Sequence, residues 1–523
     1  MDWRFPYPAI RRPILAANCV ATSQPLAAQA GLAMLAKGGN AVDAAIATAI
    51  ALAVVEPEMN GIGSDAFAIV ASNGALTGLN ASGRSPSAWT PARFANRRSI
   101  PETGWDSVTV PGAVSAWVAL HKRFGRLPFP KLVEPAIGYA RSGFLISPVV
   151  AELWGRQAAT LGGYPEFART FLPQGRAPAP GEIFRCPEQA ETLEAIAETE
   201  GQSFYRGAIA EKIAAASHRE GGAMTVADLA EHRPEWVTPL SIDFQGFRIH
   251  ELPPNGQGLT ALIALGILER LDIAGLDLDG ADLQHLAIEV TKLGIADAQA
   301  YVADAAAMRV SPEALLTDSY LSERARLIQR DRARVPSPGN PKQAGTVYLA
   351  AADASGMMIS YIQSNYQGFG SGIVVPGTGI ALNNRGNCFT LDTAHPNCVG
   401  PRKRPFHTII PGFATRDGVP LVAFGVMGGA MQPQGHVQVA LRLFAHGQNP
   451  QAAMDAPRWR VRGGDLLIEP GWSDRFRNAL AARGHKLVDG EWADFGASQI
   501  IWRLEGGYAA ASDYRRDGQA VGF

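Results

Sequence analysis

The chain has 523 residues, 47% apolar and 18% charged. These are globular values with enough apolar surface for a large interior, and length alone suggests two to four domains. Its 47 basic and 48 acidic side chains leave a net charge of −1, which argues against nucleic acid or an anionic membrane surface as partner. Four cysteines, Cys19, Cys186, Cys388 and Cys398, imply no disulfide framework. No basic-then-apolar leader opens the sequence, and the longest apolar run, 42–55, is too short to span a bilayer. The expectation is a reduced, cytoplasmic protein.

In chain order, 23–37 reads as a helix closed by Gly38-Gly39-Asn40. The next helix, up to Pro57, is apolar on nearly all sides and so should be packed on two faces. Strands follow at 66–71 and 75–79, joined by Ser72-Asn73-Gly74. Residues 111–330 are mostly helical by pattern, with helices at 112–122, 187–198, 259–271, 283–303 and 319–330. The stretch 332–345, RARVPSPGNPKQAG, is polar and rich in Pro and Gly, which describes an exposed irregular segment. Strands dominate after it. Those at 346–352 and 357–364 flank the turn Asp353-Ala354-Ser355-Gly356, and others are expected at 372–375, 421–426, 466–468 and 499–503. A helix fits 433–444.

Taken alone, Thr346 is an ordinary strand threonine, because β-branched residues favour strands. Its position changes that reading. Gly345 gives the preceding backbone freedom to distort, the irregular segment ends there, and an apolar strand begins there. A hydroxyl is a poor nucleophile until a base takes its proton. A free α-amine, with a pKa of about 7.7–8.0, is partly neutral near pH 7 and would sit on the same residue. One cut between Gly345 and Thr346 therefore creates nucleophile and base together.

Gly428-Gly429, in FGVMGGAMQPQG between a strand and a helix, either aims two N–H groups at an oxyanion or simply makes a tight turn. Arg84, in GLNASGRSPS, is either a solvated side chain or a clamp for a substrate carboxylate. In VGPRKRPFHT, 399–408, three basic residues between prolines do not make a nucleic-acid site; His407 and Thr408 either line a pocket or are structural. Cys388, His395 and Cys398 follow C-x6-H-x2-C, which is not a standard zinc spacing and lacks a fourth ligand. Gly61-Ile62-Gly63 lacks the final glycine and the βαβ context of a dinucleotide site. Neither a metal nor a cofactor is expected.

Several blocks in order resemble the γ-glutamyltranspeptidase family nearly end to end. They are GLAMLAKGGNAVDAAIATAIALAVVEPEMNGIGSDAF, TVPGAVSAW, VEPAIGYARSGFLISP, ELPPNGQG, HLAIEVTKLGIADAQAYVAD, GTVYLAAADASGMMISYIQSNYQGFGSG, GPRKRP and MGGA. The resemblance implies an α+β fold, the four-layer αββα sandwich of N-terminal nucleophile hydrolases. It also implies self-cleavage into a helix-rich large subunit, 1–345, and a strand-rich small subunit, 346–523, intertwined as one unit. Thr346 matches the nucleophile and Gly428 and Gly429 the oxyanion donors. Arg84 matches the arginine that binds the substrate's α-carboxylate. His407 and Thr408 stand where a serine pair assists, and Ser364 where a threonine lies near the nucleophile's amine.

The departures bear on the substrate. γ-Glutamyl members grip the substrate's α-amino group with an asparagine, a glutamine and an aspartate. Here Tyr366, Arg385 and Cys388 stand in those places, with Asn365 beside the first. A cationic Arg385 repels an ammonium, so the expected substrate is a small carboxylate-bearing amide without the amine. The stretch 389–399 is short, so the lid of some members is expected to be missing. QSNYQGFGSG, LNNRG and KRPFHTIIP resemble the oxamate amidohydrolase branch. The alternatives are a γ-glutamyltranspeptidase or glutathione hydrolase, a glutaryl-type acylase, and an unprocessed binding relative. The partners implied are the amide and the two subunits of one precursor; a homo-oligomer of the processed heterodimer is left open.

Overall fold

The computed structural model describes residues 10–334 and 345–523. Two seven-stranded sheets form its centre. The first runs, in spatial order, Gln519–Gly522, Cys19–Thr22, Gly345–Ala352, Met358–Tyr366, Asp65–Ser72, Ala75–Asn80 and Glu235–Val237. The second runs Ile14–Ala16, Gly507–Ser512, Ala497–Leu504, Val419–Met427, Gly412–Arg416, Phe247–Glu251 and Leu240–Phe244. Every pairing in both sheets is antiparallel.

The sheets face each other. The Tyr348 ring lies so close over Gly425 that a Cβ there would meet it at 2.4 Å, and Ser360 Oγ of the first sheet donates to Phe424 O of the second at 3.5 Å. Helices cover both outer faces, giving four layers. Helix Ala41–Val55 packs on the first sheet, and helices Gly258–Leu268 and Gln432–Ala440 pack on the second. Each sheet contains strands from before and from after position 345. A boundary at 345/346 therefore divides no core, and the domain count suggested by length gives way to a single layered unit.

Helix Ala41–Val55 is buried along all its residues. It lies between the first sheet and helices Pro25–Ala36 and Phe129–Ser142, as its all-round apolarity requires. Asn40, read as part of the previous helix's end, caps this one instead. Its Oδ1 accepts from Asp43 N–H at 2.9 Å, and Asp43 Oδ2 accepts from Asn40 N–H at 3.0 Å. The hairpin carboxylate Asp353 Oδ2 also takes Ala41 N–H at 2.7 Å, so the turn after Thr346's strand caps a helix from the front of the chain.

Three expected elements are shorter than their patterns. The strand at 372–375 shrinks to Val374–Val375, because Gly368, Gly370 and Gly372 all hold positive φ. The helix at 319–330 becomes Asp318–Ala325. The helix at 433–444 becomes Gln432–Ala440 followed by a π turn, Leu441–Ala445. Most of the irregular segment read at 332–345 lies outside the described residues.

Candidate active site

Thr346 is fully buried and is the second residue of its strand. Pairing with the neighbouring strand slips there, from Gly345↔Tyr366 to Val347↔Gln363. Such an irregularity re-aims a side chain. Thr346 Oγ1 donates to Ser364 Oγ at 3.2 Å and accepts from Gln432 Nε2 at 3.3 Å.

Ser364 links the hydroxyl to a buried cation. Its Oγ accepts from Tyr366 N–H at 2.8 Å and from Arg385 Nη2 at 3.4 Å. Arg385 is fully buried. Its Nη1 donates to Thr408 Oγ1 at 2.8 Å, and the guanidinium lies 4.4 Å from the Tyr366 ring centroid. Tyr366 holds φ 82, a left-handed conformation that costs a non-glycine residue roughly 1–3 kcal/mol; it turns the tyrosine N–H onto Ser364.

The countercharge is Asp65, 3.9 Å from Arg385 Nε. Its carboxylate accepts from Gly83 N–H at 2.9 Å and from His407 Nε2 at 3.0 Å. Burial pushes the Asp65 carboxyl up to about 7, against the opposing pull of Arg385, the Gly83 N–H and Arg404. Burial, together with Arg385 and Arg404, holds His407 well below its usual range. His407 is therefore neutral. Its Nδ1 accepts from Ile409 N–H at 3.3 Å, which places the proton on Nε2, facing Asp65.

Gly428 and Gly429 follow strand Val419–Met427 with φ 118 and 61. Only glycine adopts this pair readily, and a Cβ on Gly428 would meet Gly496 Cα at 3.0 Å. Gln257 Nε2 donates to Gly429 O at 2.9 Å, fixing the peptide that follows the turn. Three residues after Gly429, Gln432 touches Thr346, which ties the segment that follows the double glycine to the hydroxyl.

The γ-glutamyltranspeptidase family model matches residues 27–523. The chain belongs to that family. It is 37% identical to the glutathione hydrolase-like YwrD proenzyme of Bacillus subtilis, over 95% of this chain and 97% of the other. It is also 37% identical to the oxamate amidohydrolase proenzyme of Klebsiella pneumoniae, with the same coverage. A solved structure of cephalosporin acylase from Bacillus halodurans superposes with a TM-score of 0.97 at 48% identity, covering 100% of this chain and 99% of that one. The fold is that of this family's N-terminal nucleophile hydrolases, and no described helix is long and apolar enough to cross a membrane.

Two residues read as substrate contacts stand apart from the cluster. Arg84 is 38% exposed. Its Nη1 donates to Asp304 Oδ2 at 2.9 Å and to Arg402 O at 3.1 Å, and its Nη2 to Glu235 Oε1 at 3.1 Å. It borders a cavity of ≈ 330 Å³ with Ser85, Asp228, Glu231 and His232. It is Gly83 that turns toward Asp65, and with its Cβ position 1.5 Å from Val110 O no side chain fits there; the arginine one residue on projects to the rim. Asn365 points to the other face of its strand, where its Oδ1 accepts from Ser64 Oγ at 2.9 Å. The strand's two-residue alternation places it opposite Ser364.

Two contributors carried no local signal. Asp65 sits inside a recognisable block but looks like any strand-edge aspartate, and Gln432 looks like any helix-opening glutamine. Of the expected non-ligands, His395 has both ring nitrogens engaged, with Gln299 O at 2.7 Å and Asn397 N–H at 3.0 Å. Among the described residues, His285, Glu289 and His485 have ligand atoms close enough to share an ion. Lys292 Nζ lies among them, 2.7 Å from Glu289 Oε1 and 3.4 Å from His485 Nδ1. His485 Nε2 in turn meets His285 Nδ1 at 2.8 Å. An ammonium thus already occupies this group.

Proposed function

We propose that the chain is a self-processing amidohydrolase that cuts itself between Gly345 and Thr346, and that the freed Thr346 hydrolyses a small carboxylate-bearing amide of the oxamate type. The observation that carries this reading is the contact series Thr346–Ser364–Arg385. One hydroxyl separates the nucleophile from a buried cation whose Nε has no hydrogen-bond partner among the described residues. A carboxylate on Arg385 and a carbonyl at Thr346 must then be near neighbours in the substrate, as they are in oxamate. Three carbons separate them in a γ-glutamyl or glutaryl group.

In the precursor, Thr346 Oγ1 attacks the Gly345 carbonyl carbon. The C–N bond breaks, the hydroxyl proton passes to the Thr346 nitrogen, and water hydrolyses the resulting ester. This leaves a Gly345 carboxylate and a free Thr346 amine. During turnover that amine takes the Oγ1 proton, directly or through a water. Oγ1 adds to the amide carbonyl, and the Gly428 and Gly429 N–H groups hold the oxyanion. The leaving nitrogen takes the proton and departs as ammonia. Water, activated by the same amine, releases the acid from the acyl-enzyme. Arg385, with Thr408 fixing one end of its guanidinium, pairs with the carboxylate. Gly428→Ala keeps the N–H but strains φ 118 and crowds Gly496, so the donor is displaced and kcat should fall by up to about 10²–10³, the usual cost of a lost oxyanion donor, in a steady-state ammonia-release assay.

A second reading, acylase action on a longer acyl chain, is favoured by the 48% identity to cephalosporin acylase. An amide panel of oxamate, a glutaryl amide and glutathione separates the readings. Highest kcat/KM on oxamate supports the first, and highest on the glutaryl amide supports the second. Glutathione as the best substrate would contradict both.

Asp65 gives a pH signature. Below about 7 it is neutral and leaves the Arg385 charge to the substrate; above that it ionises and competes. KM for a carboxylate substrate should therefore rise as pH passes upward through 7, by about tenfold for a loss of ~1.4 kcal/mol. Over the same range kcat should climb as the Thr346 amine, with a pKa of about 7.7–8.0, loses its proton. Asp65→Asn should flatten the KM profile and leave the kcat limb in place; a wild-type KM independent of pH between 6 and 9 would rule this role out.

A further inference from the structure

Gln432 is fully buried, and its carboxamide orientation is fixed by its neighbours. Ile410 N–H, which can only donate, reaches Gln432 Oε1 at 3.0 Å. The amide nitrogen must therefore face the other way, and there it meets Thr346 Oγ1 at 3.3 Å. This donor addresses the nucleophile's own oxygen, whereas the Gly428-Gly429 turn addresses the substrate carbonyl. Oγ1 carries negative charge twice per turnover: as it loses its proton to attack, and as the acyl-enzyme ester breaks and it leaves. It carries the same charge in the self-cleavage step.

We propose that Gln432 is a catalytic residue of this site, whose N–H orients Thr346 Oγ1 and stabilises the charge on that oxygen in precursor cleavage, acylation and deacylation. The proposal rests on Thr346 being the nucleophile. Its polarity is specific. Thr346 Oγ1 donates to Ser364 Oγ and accepts from Gln432 Nε2, so Gln432 faces the oxygen's lone-pair side and not its proton. Thr346 is fully buried, so a preorganised donor on its oxygen is little screened by bulk solvent and acts strongly.

The test begins with wild-type protein. Absence of a cut at Thr346, or of Thr346-dependent turnover, would sink the reading of the nucleophile and leave Gln432 without a role. With that established, Gln432→Glu keeps the side-chain volume and the acceptor for Ile410 N–H, and replaces the donor with an anionic carboxylate oxygen. The expected result is a kcat lower by about 10²-fold, with KM within about twofold and precursor cleavage slowed in parallel. Lowering the pH should narrow the gap to wild type measured at the same pH, because the protonated carboxyl donates an O–H in place of the amide. Gln432→Met removes the donor without adding charge; it should also lose kcat, and its gap should not narrow at acid pH. Thermal melting of both variants checks that the fold survives. Should a folded variant remain uncut, a cleavage rate more than tenfold slower supports the proposal. Folded Gln432→Glu and Gln432→Met with wild-type kcat and cleavage, or with a loss confined to KM, would overturn it.

Discussion

Thr346→Ala should run as one uncut chain under denaturing electrophoresis and hydrolyse no amide, with a rate loss of at least about 10⁴-fold, the scale at which removal of a catalytic nucleophile is usually felt. Losing the hydroxyl removes the atom that attacks Gly345 as well as the atom that attacks the substrate, so processing and turnover fail together. The fold should survive. The Thr346 hydroxyl's bonds to Ser364 and Gln432 are long, at 3.2 and 3.3 Å, and the strand around it is held by seven registered pairs with Met358–Tyr366. Thr346→Ser separates the two roles: the hydroxyl remains, so cutting and turnover should persist at reduced rate. An active Thr346→Ala protein would remove the nucleophile assignment outright.

Replacing Arg385 should have the second-largest effect. Arg385→Met keeps most of the side-chain volume and removes the cation. Loss of a desolvated, hydrogen-bonded partner for a carboxylate costs about 2–4 kcal/mol, or roughly 30- to 10³-fold in kcat/KM. The loss should fall on carboxylated amides and spare an uncharged amide of the same size, so the ratio of the two kcat/KM values is the measurement to make. Asp65 is expected to respond. With Arg385 gone it loses the strongest force lowering its carboxyl, and it should stay protonated to a higher pH, flattening the KM profile as Asp65→Asn does. Equal losses on charged and uncharged amides would mean that Arg385 holds the site together without reading the substrate. Arg84→Ala, by contrast, should change kcat/KM little, because Arg84 is engaged with Asp304 and Glu235 at the rim.

The features legible in the sequence were those written locally. Uninterrupted apolarity over Ala41–Val55 marks a helix sandwiched between layers, and the two runs around Asp353–Gly356 mark the hairpin that carries Thr346 and Ser364. The double glycine was legible because positive φ at two successive positions leaves few other residues. What stayed hidden depends on partners far along the chain. Arg84 and Arg385 are both single arginines in polar loops, and nothing beside them tells which is buried. The answer comes from Asp304 and Glu235, which draw the first to the rim, and from Asp65, Ser364 and Thr408, which enclose the second. Asn365 lies on the opposite face of the strand from Ser364, because adjacency in sequence is opposition in a strand. Gln432 and Asp65 become visible only once two sheets bring residues 65, 346, 385, 407 and 432 into one cluster.

The claim on which everything else depends is that a cut exposes Thr346 as an N-terminal residue. Intact-mass measurement of purified wild-type protein, with N-terminal sequencing of the smaller fragment, tests it most directly. The expected result is two fragments, 1–345 and 346–523, the second beginning Thr-Val-Tyr-Leu with an unblocked amine. A full-length chain that hydrolyses amides, or an active small fragment beginning at any other residue, would contradict it.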